Sequence, residues 1–188
     1  MYTVDQRDRV VELRDVPQSD VGAPCPLVLA KEGKVVVVYH RNDVQPGWDG
    51  TPVTRLGPET AGGPAAIFRF DGVKASMFGP PNDEAFAGHP LASRGLRPYG
   101  AFEVLDSSWV RRLERMNAVH PQHRPESYLK YRHVVLTFHD SVFECVARSY
   151  ACELALGPLP SLVARLSGEL EDHAPRRASR QRNQAVAR

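Results

Sequence analysis

Two short stretches hold the side chains best suited to chemistry. Gly79 to Pro90 carries Asn82, Asp83, Glu84 and His89, and Leu136 to Ala147 carries Thr137, His139 and Glu144. A histidine beside a carboxylate supplies a general base and the group that orients it, and three such groups can also ligate a metal. Pro80-Pro81 stiffens the start of the first stretch, Asn82 or Asp83 can cap a short turn, and Gly88 lets the backbone approach another group. His89 precedes Pro90 and is therefore held extended. Rigid loops presenting Asp, Glu and His commonly build sites. The same pattern also serves as a capped turn packed on a sheet edge. His89, His139 and Glu144 are the candidate catalytic residues; Thr137, Asn82, Asp83, Glu84 and Trp48 are candidate ligand contacts.

Other patterns are weaker. His133 and His139 point the same way along a strand but lie roughly 20 Å apart, too far to share one ion. His120 and His123 form H-x-x-H, but Pro121 lies between them, so helical geometry is not assured. No metal ligand set and no cofactor are expected. The chain has no G-x-S-x-G elbow, phosphate-cradling glycine loop, G-x-G-x-x-G or H-E-x-x-H.

The elements that position these residues can be read from apolar periodicity. His133 to Phe138 and Val142 to Leu154 read as two arms joined at Asp140-Ser141. An even-numbered turn there pairs Phe138 with Phe143, Leu136 with Cys145 and Val134 with Ala147, an apolar stripe facing the core. Cys145 then points inward, where a thiol is inert. Thr137, His139 and Glu144 share the other face, which alternation alone would leave in solvent.

Val10 to Val16 reads as a first strand. Leu27 to Arg41 reads as a hairpin turning at Lys31 to Lys34, with Val35 to Tyr39 β-branched on both faces and so covered on both sides. Ala65 to Gly79 reads as another hairpin, turning at Asp71-Gly72. Phe102 to Leu105 is a short strand, and a short helix is placed near Asp83 to Ala87. Asp106-Ser107-Ser108 supplies the N-cap of a helix running to about Val119, with Trp109, Leu113 and Met116 as its buried stripe. A final helix spans Ser161 to about Leu170. The fold class is α+β: mostly antiparallel sheet (a rolled sheet, sandwich or half-open barrel) with two packed helices.

One globular domain is expected over 1–170, interrupted by a Gly/Pro-rich loop at 42–64 that carries Trp48, and followed by a disordered Arg-rich tail at 171–188. The net charge is +2, but five arginines in Ala174 to Arg188 leave −3 on the rest, so nucleic acid is a weak expectation confined to the tail. Met1 to Arg14 has no hydrophobic run, and the longest such run, Val35 to Tyr39, is too short for a bilayer. Neither a secretory signal nor membrane association is expected. Three cysteines without CxxC spacing suit a reduced, cytoplasmic protein.

Two functional readings remain. The preferred one is a small soluble binding or accessory domain of bacterial type, taking a small molecule or a protein partner, with a homo-oligomer allowed. The other is a His/carboxylate enzyme, metal-assisted in one version, acting on a small polar substrate.

Overall fold

A computed structural model describes residues 2–42 and 57–172. Trp48 and the tail from residue 173 onward lie outside these residues.

Nine strands and two α-helices follow one another along the described chain: β1 (Arg9–Glu12), β2 (Leu27–Lys31), β3 (Lys34–His40), β4 (Pro64–Asp71), β5 (Ala75–Gly79), β6 (Ala101–Leu105), α1 (Ser108–Asn117), β7 (Arg132–Thr137), β8 (Val142–Ala147), β9 (Ser149–Leu156) and α2 (Leu159–Asp172). They form a five-stranded sheet ordered β1-β6-β7-β8-β5 and a four-stranded sheet ordered β2-β3-β4-β9, all antiparallel. The class is α+β, and the two sheets do not close into a barrel.

Both sheets bury apolar side chains on both faces. Between them lies a core of Val37, Tyr39, Phe68 and Phe70 from one sheet and Leu136, Phe143 and Cys145 from the other. Behind the four-stranded sheet, α2 lays Leu159, Leu162 and Leu166 on Val36, Val38 and Ile67. The β-branched run at Val35 to Val38 is therefore covered on both sides, as its composition requires. Behind the five-stranded sheet, Tyr2, Phe86, Leu91 and Trp109 cover Val135, Val142 and Val146.

Two expected connections are redrawn. Asp71-Gly72 does not close a hairpin, because β4 pairs β3 and β9 whereas β5 pairs β8. Likewise the arm Val142 to Leu154 breaks at Arg148, sending β8 into one sheet and β9 into the other. An Asp-Gly pair between apolar runs reads the same whether the chain folds back on its neighbour or turns a corner into a second sheet. The two corners lie side by side: the Arg148 N–H donates to the Asp71 carbonyl (3.0 Å) and the Lys74 N–H to the Val146 carbonyl (2.8 Å). Gly72 has φ +64°, and a Cβ there would sit 2.9 Å from the Arg148 Cβ, so glycine is needed for conformation and for space.

The β7–β8 register also moves. Leu136 faces Phe143, Val134 faces Cys145 and Val135 faces Glu144, two residues away from the pairing read above. The Phe138 N–H bonds the Ser141 carbonyl, so the two-residue turn is His139-Asp140. A slip of two preserves which face each side chain takes. Cys145 lies inside as expected. In α1 the stripe is shorter than expected: Trp109 is buried, whereas Met116 is 63% exposed.

Candidate functional site

Glu144 occupies the middle of β8 on the face away from the inter-sheet core. That face is not solvated: Glu144 is 6% exposed, beneath the N-terminal segment, the 82–96 loop and α1. A carboxylate in such a place costs several kcal/mol unless hydrogen-bonded.

Three donors meet it. The Tyr2 hydroxyl donates to Oε2 at 2.5 Å, His133 Nε2 lies 2.9 Å from Oε2, and His89 Nε2 lies 3.3 Å from Oε1. The rest of the network sets the histidine tautomers. His89 Nδ1 accepts from the Leu91 N–H (3.1 Å), so its proton is on Nε2. Ser107 Oγ accepts from the Trp109 N–H (3.2 Å) and the Val110 N–H (3.3 Å) as the N-cap of α1, leaving its own proton for His133 Nδ1 at 2.9 Å. His133 then also carries its proton on Nε2, facing the carboxylate. Every ring nitrogen of the two imidazoles thus has a partner.

Burial pushes the Glu144 carboxyl upward, but hydrogen bonds from His133, His89 and Tyr2 outweigh it and hold the group down at about 2. The Tyr2 phenol is raised, first by burial and then by the Glu144 charge beside it. Aromatic rings wall the cluster. Tyr2 stacks on Trp109 at 5.2 Å, both meet His133 edge-on, and Phe86 stacks on His89 at 5.7 Å. Asp8 ties Tyr2's segment down, its carboxylate accepting from the Ser108 and Asp5 N–H groups.

The expected pair His89 and Glu144 therefore meets, and His139 does not join it. Sitting in the turn, His139 reaches solvent and places Nδ1 3.1 Å from Asp140 Oδ1 and 3.9 Å from Asp83 Oδ1. Asp83 accepts a hydrogen bond from the Tyr99 hydroxyl, and its N–H donates to the His139 carbonyl (2.8 Å), pinning the loop to the end of β7. The hydrogen bond to Asp140 and the charge of Asp83 raise the His139 pKa. The bond from Tyr99 lowers that of Asp83, and burial together with Asp83 lifts Tyr99 to about 12. Asn82 caps its turn, accepting from the Ala85 N–H at 3.0 Å. Glu84 is exposed. The Thr137 hydroxyl is fully used, accepting from the Gly100 N–H (2.8 Å) and donating to the Arg97 carbonyl (2.9 Å). Burial pushes the Cys145 thiol up to about 12, in keeping with an inert core cysteine.

Sequence reasoning missed Tyr2, Ser107 as a partner, and His133. One signal for His133 existed: it shares a face with Glu144, and the true register makes the two diagonal neighbours. Tyr2 has no comparable local signal.

Ser107, His133 and Glu144 stand in the order of a nucleophile, its base and the orienting carboxylate. Ser107, however, spends both lone pairs on the α1 cap and is 4% exposed. The arrangement holds the fold; attack on a substrate would first require uncapping the helix. Among the described residues no group of three His, Cys, Asp or Glu side chains is placed to hold a metal ion.

Open space lies elsewhere. A cleft of about 550 Å³ runs between α1, the 125–130 turn of 3-10 helix and β6, with Val110, Tyr128, Leu129, Tyr131 and Arg132 among its walls and Ser107 at its side. Arg132 is held there by Glu103 through two hydrogen bonds (2.8 and 2.5 Å). Two smaller clefts, about 430 and 210 Å³, flank α1 and α2; Glu144 lines none of the three. No protein-family model, curated protein or solved structure matches this chain.

Proposed function

We propose that the chain is a non-catalytic binding or accessory domain, in which the histidine–glutamate cluster builds the structure and the cleft beside α1 receives the ligand. The observation that carries this reading is the engagement of Glu144: three donors meet a carboxylate only 6% exposed, and Ser107 has no free lone pair, so the cluster is committed to internal partners. The cleft, by contrast, is open and of a size that suits a small ligand, lined by tyrosine, aliphatic and charged side chains together. The absence of any disulfide among Cys25, Cys145 and Cys152 supports a reducing, cytoplasmic setting. No helix among the described residues is long and apolar enough to cross a membrane.

The enzymatic alternative draws on the Ser107–His133–Glu144 run. A fragment screen followed by amide chemical shifts, together with a fluorophosphonate probe, separates the two. The binding reading expects hits that perturb Val110, Tyr128 and Arg132 and leave Ser107 unlabelled. Covalent labelling that disappears in Ser107→Ala would replace it with the enzymatic one.

A further inference from the structure

Four strands end the two sheets, and three of them are guarded. β1 is only four residues long and has a charged residue, Arg9 or Glu12, at each end. β2 has α2 packed beside it, with Lys31 reaching the Leu170 carbonyl. β5 is only five residues long and runs into Pro80-Pro81. β9 lacks these devices. It is eight residues long, contains no proline, lysine or arginine, and its one charged side chain, Glu153, is already engaged by Arg69 (3.0 Å) and Arg165 (3.9 Å). Such an edge is a template for another strand.

Its hydrogen-bonding parity can be derived. The Gly157 N–H bonds the Gly63 carbonyl in the same register that pairs Ala155 with Ala65 and Glu153 with Ile67. Odd-numbered residues of β9 therefore bond β4, and Tyr150, Cys152, Leu154 and Leu156 turn N–H and C=O outward. No described residue meets those groups. The same four residues share one face. Tyr150 and Cys152 pack against the inter-sheet core, but in the second half of the strand Leu154 is 61% and Leu156 71% exposed.

We propose that this edge pairs with the same edge of a second copy of the chain, antiparallel about a two-fold axis at Leu154, joining the two four-stranded sheets into one of eight strands. Any axis on a β9 residue satisfies the parity; axes before Cys152 leave Leu154 and Leu156 outside the paired segment, one at Leu156 leaves Cys152 outside it, and one at Ala155 sets Cys152 opposite Pro158, which has no N–H to donate. An axis at Glu153 sets the two Glu153 carboxylates against each other, which antiparallel pairing disfavours. An axis at Cys152 leaves Leu156 beyond the paired segment. The axis at Leu154 sets Leu154 on its copy, Cys152 opposite Leu156 and Glu153 opposite Ala155. It buries all four leucines in one strip and satisfies the outward N–H and C=O groups of Cys152, Leu154 and Leu156. The edge is self-complementary in that register, as an isologous interface must be.

The register makes a covalent prediction. Cys152 and Leu156 form a hydrogen-bonded pair across the axis, with Cα atoms about 5.5 Å apart, within reach of a disulfide. Leu156→Cys should therefore cross-link two full-length chains under mild oxidation, whereas the wild-type chain, whose two Cys152 residues lie four positions out of register, should not. Light scattering during size exclusion should give twice the chain mass for the wild type and one chain mass for Leu154→Lys, with circular dichroism confirming that the variant folds. A wild-type chain that remains a monomer up to millimolar concentration overturns the proposal. So does a dimer that survives Leu154→Lys, or one that Leu156→Cys fails to cross-link.

Discussion

Two clusters in this molecule use the same three side-chain types. One joins Tyr2, Glu144 and two histidines beneath α1; the other joins Tyr99, Asp83 and His139 at the outer turn of β7–β8. In each, a phenol donates to a carboxylate that also faces imidazole. They differ in water. The Glu144 side chain is 8% exposed, and its hydrogen bonds replace a hydration shell it could not otherwise do without, whereas the side chains of Asp83 and His139 are 22% and 42% exposed and share their solvation with water. Identical chemistry is thus structural in one place and nearly neutral in the other.

Removing the carboxylates tests that contrast most severely. Glu144→Ala leaves the Tyr2 hydroxyl and two imidazole N–H groups buried without an acceptor, and should cost about 3–5 kcal/mol in urea unfolding. Asp83→Ala should leave the unfolding midpoint within error. Equal effects would break the comparison.

Acid is the next probe. The Glu144 carboxyl sits at about 2 in the folded chain against an ordinary 4.5, so between those values the unfolded chain binds the proton more tightly. Its stabilisation, about 3 kcal/mol, is complete above pH 4.5 and is lost as pH falls toward 2. Urea midpoints measured across that window should fall, and Glu144→Gln should flatten the slope. A smaller effect, about 1.5 kcal/mol, is expected for Tyr2→Phe, which removes one of three donors to a buried charge and keeps the stack on Trp109.

The smallest effect sharpens the other side. The His139 pKa is raised, chiefly by Asp140, so its modest contribution is present below its ordinary value and lost as pH rises through the raised one. In Asp140→Asn the His139 ring resonances should titrate at lower pH than in the wild type, with stability unchanged. Were stability to follow that titration, the outer cluster would be no less structural than the inner.

The difference between the clusters also explains what could be read from the residues alone. The two faces of β7–β8 were legible because any even turn sends Cys145 one way and Glu144 the other, whatever the register. The Ser107 cap of α1 was legible because capping is local. His139 was misplaced by a one-residue shift of the turn, which took it off the strand altogether. Burial of the Glu144 face was not legible, since its cover comes from Tyr2, the 82–96 loop and α1, none of which shares a periodicity with β8. The two sheet-to-sheet corners at Gly72 and Arg148 were hidden for a similar reason: alternation tells which way side chains point and is silent about which sheet they join.

The corners have a consequence for biogenesis. Because β4 turns away from β5, its outer partner is β9, and Ile67 waits for Glu153; Tyr2 waits for Glu144, 142 residues later. A ribosome adding about 5–20 residues per second leaves the Ala-Ala-Ile-Phe-Arg-Phe segment of β4 without its final neighbour for several seconds. Non-local pairing of this kind closes slowly even in the released chain. The nascent polypeptide should therefore be a client for chaperones that shield extended apolar segments, and its yield should depend on them more than the stability of the finished fold would suggest.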